Sequence, residues 1–139
     1  VIPMTSSFNC GPFSDDGDDA VCYEIAFTAD GWNNARELCH IIHAEIASVH
    51  NDEENAFLRR LAESNGAKSV LLGGSLAGKG VFFGWVDGSA WDYANFKPGY
   101  PKKGQGNCLF MDTRTETGQW INGDCNTRTP VACSGSPLS

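Results

Sequence analysis

The chain has 139 residues, a hydrophobic share of 41% and a formal net charge of −7. That length suits one domain burying roughly two thirds of its unfolded surface, and the composition is that of an ordinary globular protein. The acidic balance argues against nucleic acid and anionic membranes as partners, because both select a basic face. No stretch reaches the ~18 apolar residues that span a bilayer and no charged-then-apolar leader is seen, so membrane insertion is not expected and the chain reads as already processed.

Six cysteines, Cys10, Cys22, Cys39, Cys108, Cys125 and Cys133, make an even set without CxxC or Cys/His zinc spacing. Such heavy use predicts an oxidising compartment and a secreted, extracellular protein. Spacing alone leaves the pairing open. No Asn-x-Ser/Thr acceptor occurs, so N-glycosylation is not expected.

In chain order, residues 1–9 are expected to form a loose arm. The run Ser14-Asp15-Asp16-Gly17-Asp18-Asp19, set between Cys10 and Cys22, lacks the alternating oxygens and distal Glu of a calcium loop and is predicted to be a solvated hairpin tip. Val21, Tyr23, Ile25 and Phe27 alternate as in a half-buried strand. Asp30 is placed to cap a helix whose apolar stripe is Trp32, Ala35, Leu38, Cys39 and Ile42. His40 and His43 on that helix could share a metal, but no third ligand stands nearby and exposed or core-edge histidines are the plainer reading. A second helix should begin at Asn51, with Glu54 completing a capping box, bury Phe57, Leu58 and Leu61, and stop at Asn65-Gly66. Beyond Ser69 the predicted strands are Val70–Leu72, Val81–Trp85, Cys108–Met111, Gln119–Ile121 and Pro130–Cys133. The stretch from Trp85 to Cys108, rich in Gly, Pro, Asn and aromatics, is too long for an ordinary connection and is expected to carry function. The class is α+β.

These residues include Cys22-Tyr23, Trp32-x-x-Ala35-x-x-x-Cys39, Ala47-Ser48-Val49-His50 and Glu53-Glu54-Asn55-x-Phe57-Leu58. They continue with Phe83-x-Trp85-Val86-Asp87-Gly88-x-x-Trp91-x-Tyr93-x-Asn95-Phe96-x-x-Gly99, Asn107-Cys108, Gly118-x-Trp120, Cys125 and Pro130-x-x-Cys133. The pattern resembles the C-type lectin-like domain in its long, six-cysteine form. The resemblance implies a domain over residues 10–134, after the arm at 1–9 and before a tail at 135–139. It implies two helices flanking small antiparallel sheets, a long projecting loop, and disulfides Cys10–Cys22, Cys39–Cys133 and Cys108–Cys125. One departure is Leu71-Leu72-Gly73-Gly74 where the family has Trp-Ile-Gly-Leu, a change in core volume that leaves the topology intact.

Sugar-binding members of that family hold calcium in the long loop through a Glu-Pro-Asn or Gln-Pro-Asp triplet, a Glu two before the next Cys, and an Asn-Asp pair. Here the corresponding positions read Tyr100-Pro101-Lys102, Gly106 and Ile121-Asn122, of which only Asn122 keeps an amide or carboxylate oxygen. Calcium needs six to eight oxygens, and Lys102 sets an ammonium against it. No calcium or other cofactor is therefore expected at the usual site; a rebuilt metal site, and with it calcium-dependent sugar binding, would have to use Asn122 and Asp124. Pro101 stands where the family often has a cis peptide.

The leading expectation is a secreted carbohydrate-binding protein working without calcium through the long-loop face, with Tyr93, Phe96, Lys97, Tyr100, Pro101, Lys102, Lys103 and Asn122 as ligand-binding residues. Residues 76–107 carry four lysines against two aspartates on an otherwise acidic chain, which suits an anionic glycan, although the lysines could merely solvate a glycine-rich loop. A protein-interaction module, of immune or adhesive kind and meeting a cell-surface protein, is the alternative; Trp91, Tyr93 and Phe96 would then be an exposed interface core. Trp85, Trp91 and Trp120 are expected to be structural. No enzyme is expected: His40, His43 and His50 are the only ready general bases, and no serine sits in a nucleophile elbow.

Overall fold

The computed structural model describes residues 9–10, 21–76 and 83–135. Of the expected arm at 1–9 and tail at 135–139, Asn9 and Gly135 instead lie in strands, paired with Tyr23 and Cys22; the rest of both, the acidic run at Ser14–Asp19 and the start of the Val81–Trp85 strand lie outside the described residues. The elements run β1 (Asn9–Cys10), β2 (Cys22–Asp30), α1 (Trp32–Ile41), β3 (Glu45–Ile46), α2 (Asp52–Ser64), β4 (Ser69–Leu76), β5 (Phe83–Trp85), β6 (Cys108–Asp112), β7 (Gln119–Gly123) and β8 (Arg128–Gly135).

The expected small antiparallel sheets are joined into one eight-stranded sheet in the order β1-β2-β8-β4-β6-β7, with β3 on β8 and β5 on β4. The seam is parallel: β4 meets β8 at Leu71 and Val131. Because side chains alternate across a strand, Val70, Leu72, Leu109 and Met111 enter one core with Leu58 and Ala62 of α2 and with Tyr23, Trp85 and Trp120. Leu71, Phe110 and Val131 enter a second core on the opposite face with Ala35 and Cys39 of α1. Both faces of the central strands are thus covered, which is why β6 is buried at every position and reads as an apolar run from Cys108 to Met111 before it ends in Asp112.

α2 starts as its sequence predicts. Asn51 Oδ1 accepts the Glu54 N–H at 2.8 Å, and Glu54 Oε1 accepts the His50 N–H at 2.9 Å. The helix stops at Asn65, followed by Gly66 with φ of 76°. Leu58 is fully buried, while Phe57 and Leu61 pack partly exposed against the same core.

α1 corrects its sequence reading, because Asp30 does not cap it. Asp30 is the last residue of β2 and pairs with Arg128 of β8 at 2.7 Å. The N-cap is Gly31, with φ of 92° and no side-chain cap bond. Strand and helix are separated by this one residue, so the turn needs a left-handed backbone that glycine adopts without strain. The helix start is held instead by Trp32, whose N–H donates to Cys125 O at 2.8 Å.

The three disulfides are those implied by the family pattern: Cys10–Cys22, Cys39–Cys133 and Cys108–Cys125. The second ties α1 to β8 across 94 residues.

Candidate long-loop binding site

The long loop, residues 86–107, is built onto an aromatic base. Trp120 is fully buried, and its indole N–H donates to Asn55 Oδ1 at 2.8 Å. Around it stand Trp85 at 5.7 Å, Trp91 at 5.9 Å, Tyr93 at 5.7 Å and Phe96 at 5.7 Å between ring centres. Edge-to-face contacts of this kind lock the loop's course. The backbone does the same: Lys97 N–H donates to Trp120 O at 2.9 Å and Trp120 N–H to Asn95 O at 2.8 Å. Trp85, Trp91 and Trp120 are therefore structural. Trp91, Tyr93 and Phe96, which the protein-interaction alternative would place in an exposed interface core, are partly buried and pack against the core above Trp120. The Tyr93 hydroxyl donates to Asp52 Oδ1.

Charged groups pin the loop as well. Lys97 Nζ lies 2.7 Å from Oδ2 of Asp112, a side chain only 4% exposed, and Arg114 binds the same carboxylate at 3.0 Å. Hydrogen bonds from Arg114 and then Lys97 hold Asp112 well below the usual carboxylate range, against the opposing effect of burial. Asp87 accepts from the hydroxyls of Ser48 and Ser89. His50 bridges these serines, through Nε2 at 3.1 and 3.0 Å, to Asp92, through Nδ1 at 2.7 Å. Burial alone would raise the Asp87 carboxyl, but the two hydroxyls, the Ser89 N–H and His50 outweigh it and lower it. The hydrogen bond from His50 lowers Asp92. Residues 48–50 and 87–92 are far apart in sequence and carry no local pattern, so this knot was not foreseen.

At the tip, Tyr100–Pro101 is a cis peptide. Lys102 Nζ sits 4.6 Å above the Tyr100 ring, and Lys103 is exposed. Asn122, 2% exposed, is wholly engaged by the loop: Oδ1 accepts the Lys102 N–H at 2.7 Å, and Nδ2 donates to Lys102 O at 2.8 Å and Gly106 O at 2.9 Å. Of the eight residues expected to bind ligand, Tyr100, Pro101, Lys102, Lys103 and Asn122 meet at this tip. Tyr93, Phe96 and Lys97 belong to its foundation.

The residues present do not fit the family's calcium ion. The Asn122 oxygen is taken by a backbone N–H, and Asp124, the other half of the rebuilt pair, accepts from Asn126 N–H at 2.8 Å. Gly106 has φ of 136°, and a Cβ there would lie 2.1 Å from the Gly123 carbonyl, so a glutamate at that position has no room on this backbone. Among the described residues no group of three or more His, Cys, Asp or Glu is placed to hold a metal. His40 is paired with Glu45 at 3.1 Å.

The Lectin C-type domain family matches residues 28–135. Proteoglycan 3 of Mus musculus is 32% identical over 116 residues, which are 81% of this chain and 50% of that protein. The chain thus spans about half the length of the mouse protein. A lectin of Pleurodeles waltl is 30% identical over 138 residues, 96% of this chain and 80% of the newt protein. Among solved structures, the cow C-type carbohydrate-recognition domain of CD23, determined in the presence of a GlcNAc2Man3 oligosaccharide, superposes with a TM-score of 0.71 at 28% identity, covering 84% of this chain and 88% of the other.

Proposed function

This chain belongs to the C-type lectin domain family, and from that premise we propose that it is a secreted binding protein that takes an anionic glycan at its long-loop tip without calcium there. The observation that carries this reading is the Asn122 amide, which ties Lys102 and Gly106 into a closed tip where relatives would place an ion. A divalent ion about 4 Å from the Lys102 ammonium would be repelled by roughly 8 kcal/mol at an effective dielectric near 20. The same ammonium attracts sulfate or carboxylate through charge-assisted hydrogen bonds. Lys103 adds a second cation, and the Tyr100 ring offers a flat apolar face for a sugar. With Lys97 held by Asp112, the cations left for a ligand among the described loop residues are Lys102 and Lys103. The Pleurodeles waltl lectin and the cow carbohydrate-recognition domain, determined in the presence of an oligosaccharide, support a glycan as the ligand class, and three disulfides support an extracellular home.

A protein-interface reading has less apolar surface to work with, because Trp91, Tyr93 and Phe96 are partly buried against Trp120. We assign no catalysis. Asp92, His50 and the serines stand in line, yet both hydroxyls donate to Asp87, so neither directs a proton at the imidazole.

The test is retention on immobilised heparin, a sulfated glycan, in calcium and again in chelator. Retention should be equal in the two buffers, fall with salt, and drop at least about tenfold in affinity in Lys102→Glu/Lys103→Glu. Binding abolished by chelator, or indifferent to the double reversal, would sink the proposal.

A further inference from the structure

The chain has ten lysines and arginines, and all but Lys79 lie among the described residues. A serine protease that reads a basic residue makes two demands on it. The cationic side chain must be free to enter a pocket that ends in a carboxylate, and the residue's own carbonyl must be free to enter an oxyanion hole. The structure answers both demands for each basic residue it describes.

Arg36, Arg59 and Arg60 lie inside α1 and α2, where carbonyls are bonded along the helix. Arg128 is part of the β2–β8 ladder, with its guanidinium on Asp30 at 2.7 Å. The Lys68 carbonyl accepts the Thr113 N–H at 3.1 Å. The Lys97 carbonyl accepts the Tyr100 N–H at 2.9 Å, its ammonium is on Asp112, and the next residue is Pro98, which has no N–H. Arg114 spends its guanidinium and its own N–H on Asp112. The Lys102 carbonyl accepts from Asn122 Nδ2 at 2.8 Å and from the Gln105 N–H at 3.2 Å. Lys103 is different: neither its carbonyl nor its ammonium bonds any described residue. It stands in the exposed run 102–105 at the loop tip, and Gly104 after it has open space around its Cβ position, so an approaching enzyme meets no wall there.

We propose that the Lys103–Gly104 peptide is a processing site for a trypsin-like serine protease, and that the cut weakens the loop tip without releasing any part of the chain. Water is the second reactant: the C–N bond breaks, its oxygen stays on Lys103 as a carboxylate, and Gly104 leaves with an α-amine. The two pieces remain joined, because Cys39–Cys133 links residues on either side of the cut. Both stubs also stay seated, since Asn122 holds the Lys102 N–H and carbonyl on one side and the Gly106 carbonyl on the other. The Lys103 ammonium then swings on a free end beside its own new carboxylate. Ordering it costs a ligand conformational entropy that the closed tip had already removed. The resulting weaker hold on an anionic glycan rests on the function proposed above; the cut itself does not.

The test is limited digestion of the whole chain with trypsin, in a Lys79→Gln background so that the basic residue outside the described ones does not compete. Mass spectrometry should find a first product one water heavier than the chain before reduction. After reduction it should find two pieces, one ending at Lys103 and the other starting at Gly104. Adding Lys103→Gln should slow the loss of intact chain at least about tenfold, whereas adding Lys102→Gln should leave the rate near that of the background. On heparin, the nicked chain should elute at lower salt than the intact one. A first cut at Lys68, Lys102 or Arg114, an undiminished rate with Lys103→Gln, or a nicked chain that elutes with the intact one would overturn the inference. An intact chain that heparin never retains would end the glycan reading and leave the mapped cut standing, so the two failures are told apart.

Discussion

Asn122 satisfies one backbone N–H and two backbone carbonyls with a single buried amide. Substituting Asn122→Asp keeps the shape but replaces the donor by an oxygen facing Lys102 O and Gly106 O. Leaving buried carbonyls unpaired costs about 1–3 kcal/mol each at most sites, so urea unfolding should show a loss of about 2 kcal/mol or more. Added calcium should not restore it, because the Lys102 ammonium and Gly106 remain; recovery of stability with calcium would mean that the tip is a metal site after all. That Asn122 is the one family ligand position to keep its oxygen was legible in the sequence. Its use as a brace was not, because its partners lie 20 and 16 residues away and are backbone groups, which any side chain would leave in place.

At the scale of elements, the two helix starts make a controlled comparison. Both have a good capping residue in sequence, Asp30 and Asn51, but only Asn51 bonds into its helix. Asn51→Ala should cost about 1 kcal/mol in thermal or urea unfolding. Asp30→Ala should cost no more than about 0.5 kcal/mol, since its ion pair with Arg128 is 68% exposed on both sides. Equal losses would show Asp30 acting as a cap. The signal misled because β-pairing competes for the same residue: Asp30 sits opposite Arg128 in the ladder, and Gly31 makes the turn. β2 was legible as an alternation and β4 to β8 as short apolar runs, but the two-residue β1 and β3 were not, and neither was the parallel seam, since a run buried on both faces carries no record of its neighbour's direction.

At the scale of the molecule, the long loop is fastened to the body by carboxylates: Asp112 to Lys97, and Asp87 and Asp92 to the Ser48–His50 segment. All three have their folded pKa lowered. Their stabilisation is therefore complete above the unfolded value near 4 and is lost as pH falls through the lowered folded values. The melting temperature should stay level from pH 7 to about 5 and fall steeply below about 4. Asp112, nearly buried, should dominate, whereas the half-exposed Asp92 contributes little. Asp112→Asn should be less stable at neutral pH and show a shallower acid limb; an acid limb identical to the parent's would remove Asp112 from this role.

The order of the cysteines, the two amphipathic helices and the spacing of tryptophans and glycines were enough to determine the family, the α+β class and the loop that projects from it. These are local or ordered features, written in periodicity and in the sequence of residue types. Tertiary structure alone decided that Tyr93 and Phe96 pack on Trp120, that Lys97 is consumed by Asp112, and that the Asn122 amide is spent on the loop backbone. Each of those outcomes depends on which distant side chain first satisfies a ring face, a charge or an amide, and that competition is settled only when the sheet brings the candidates together.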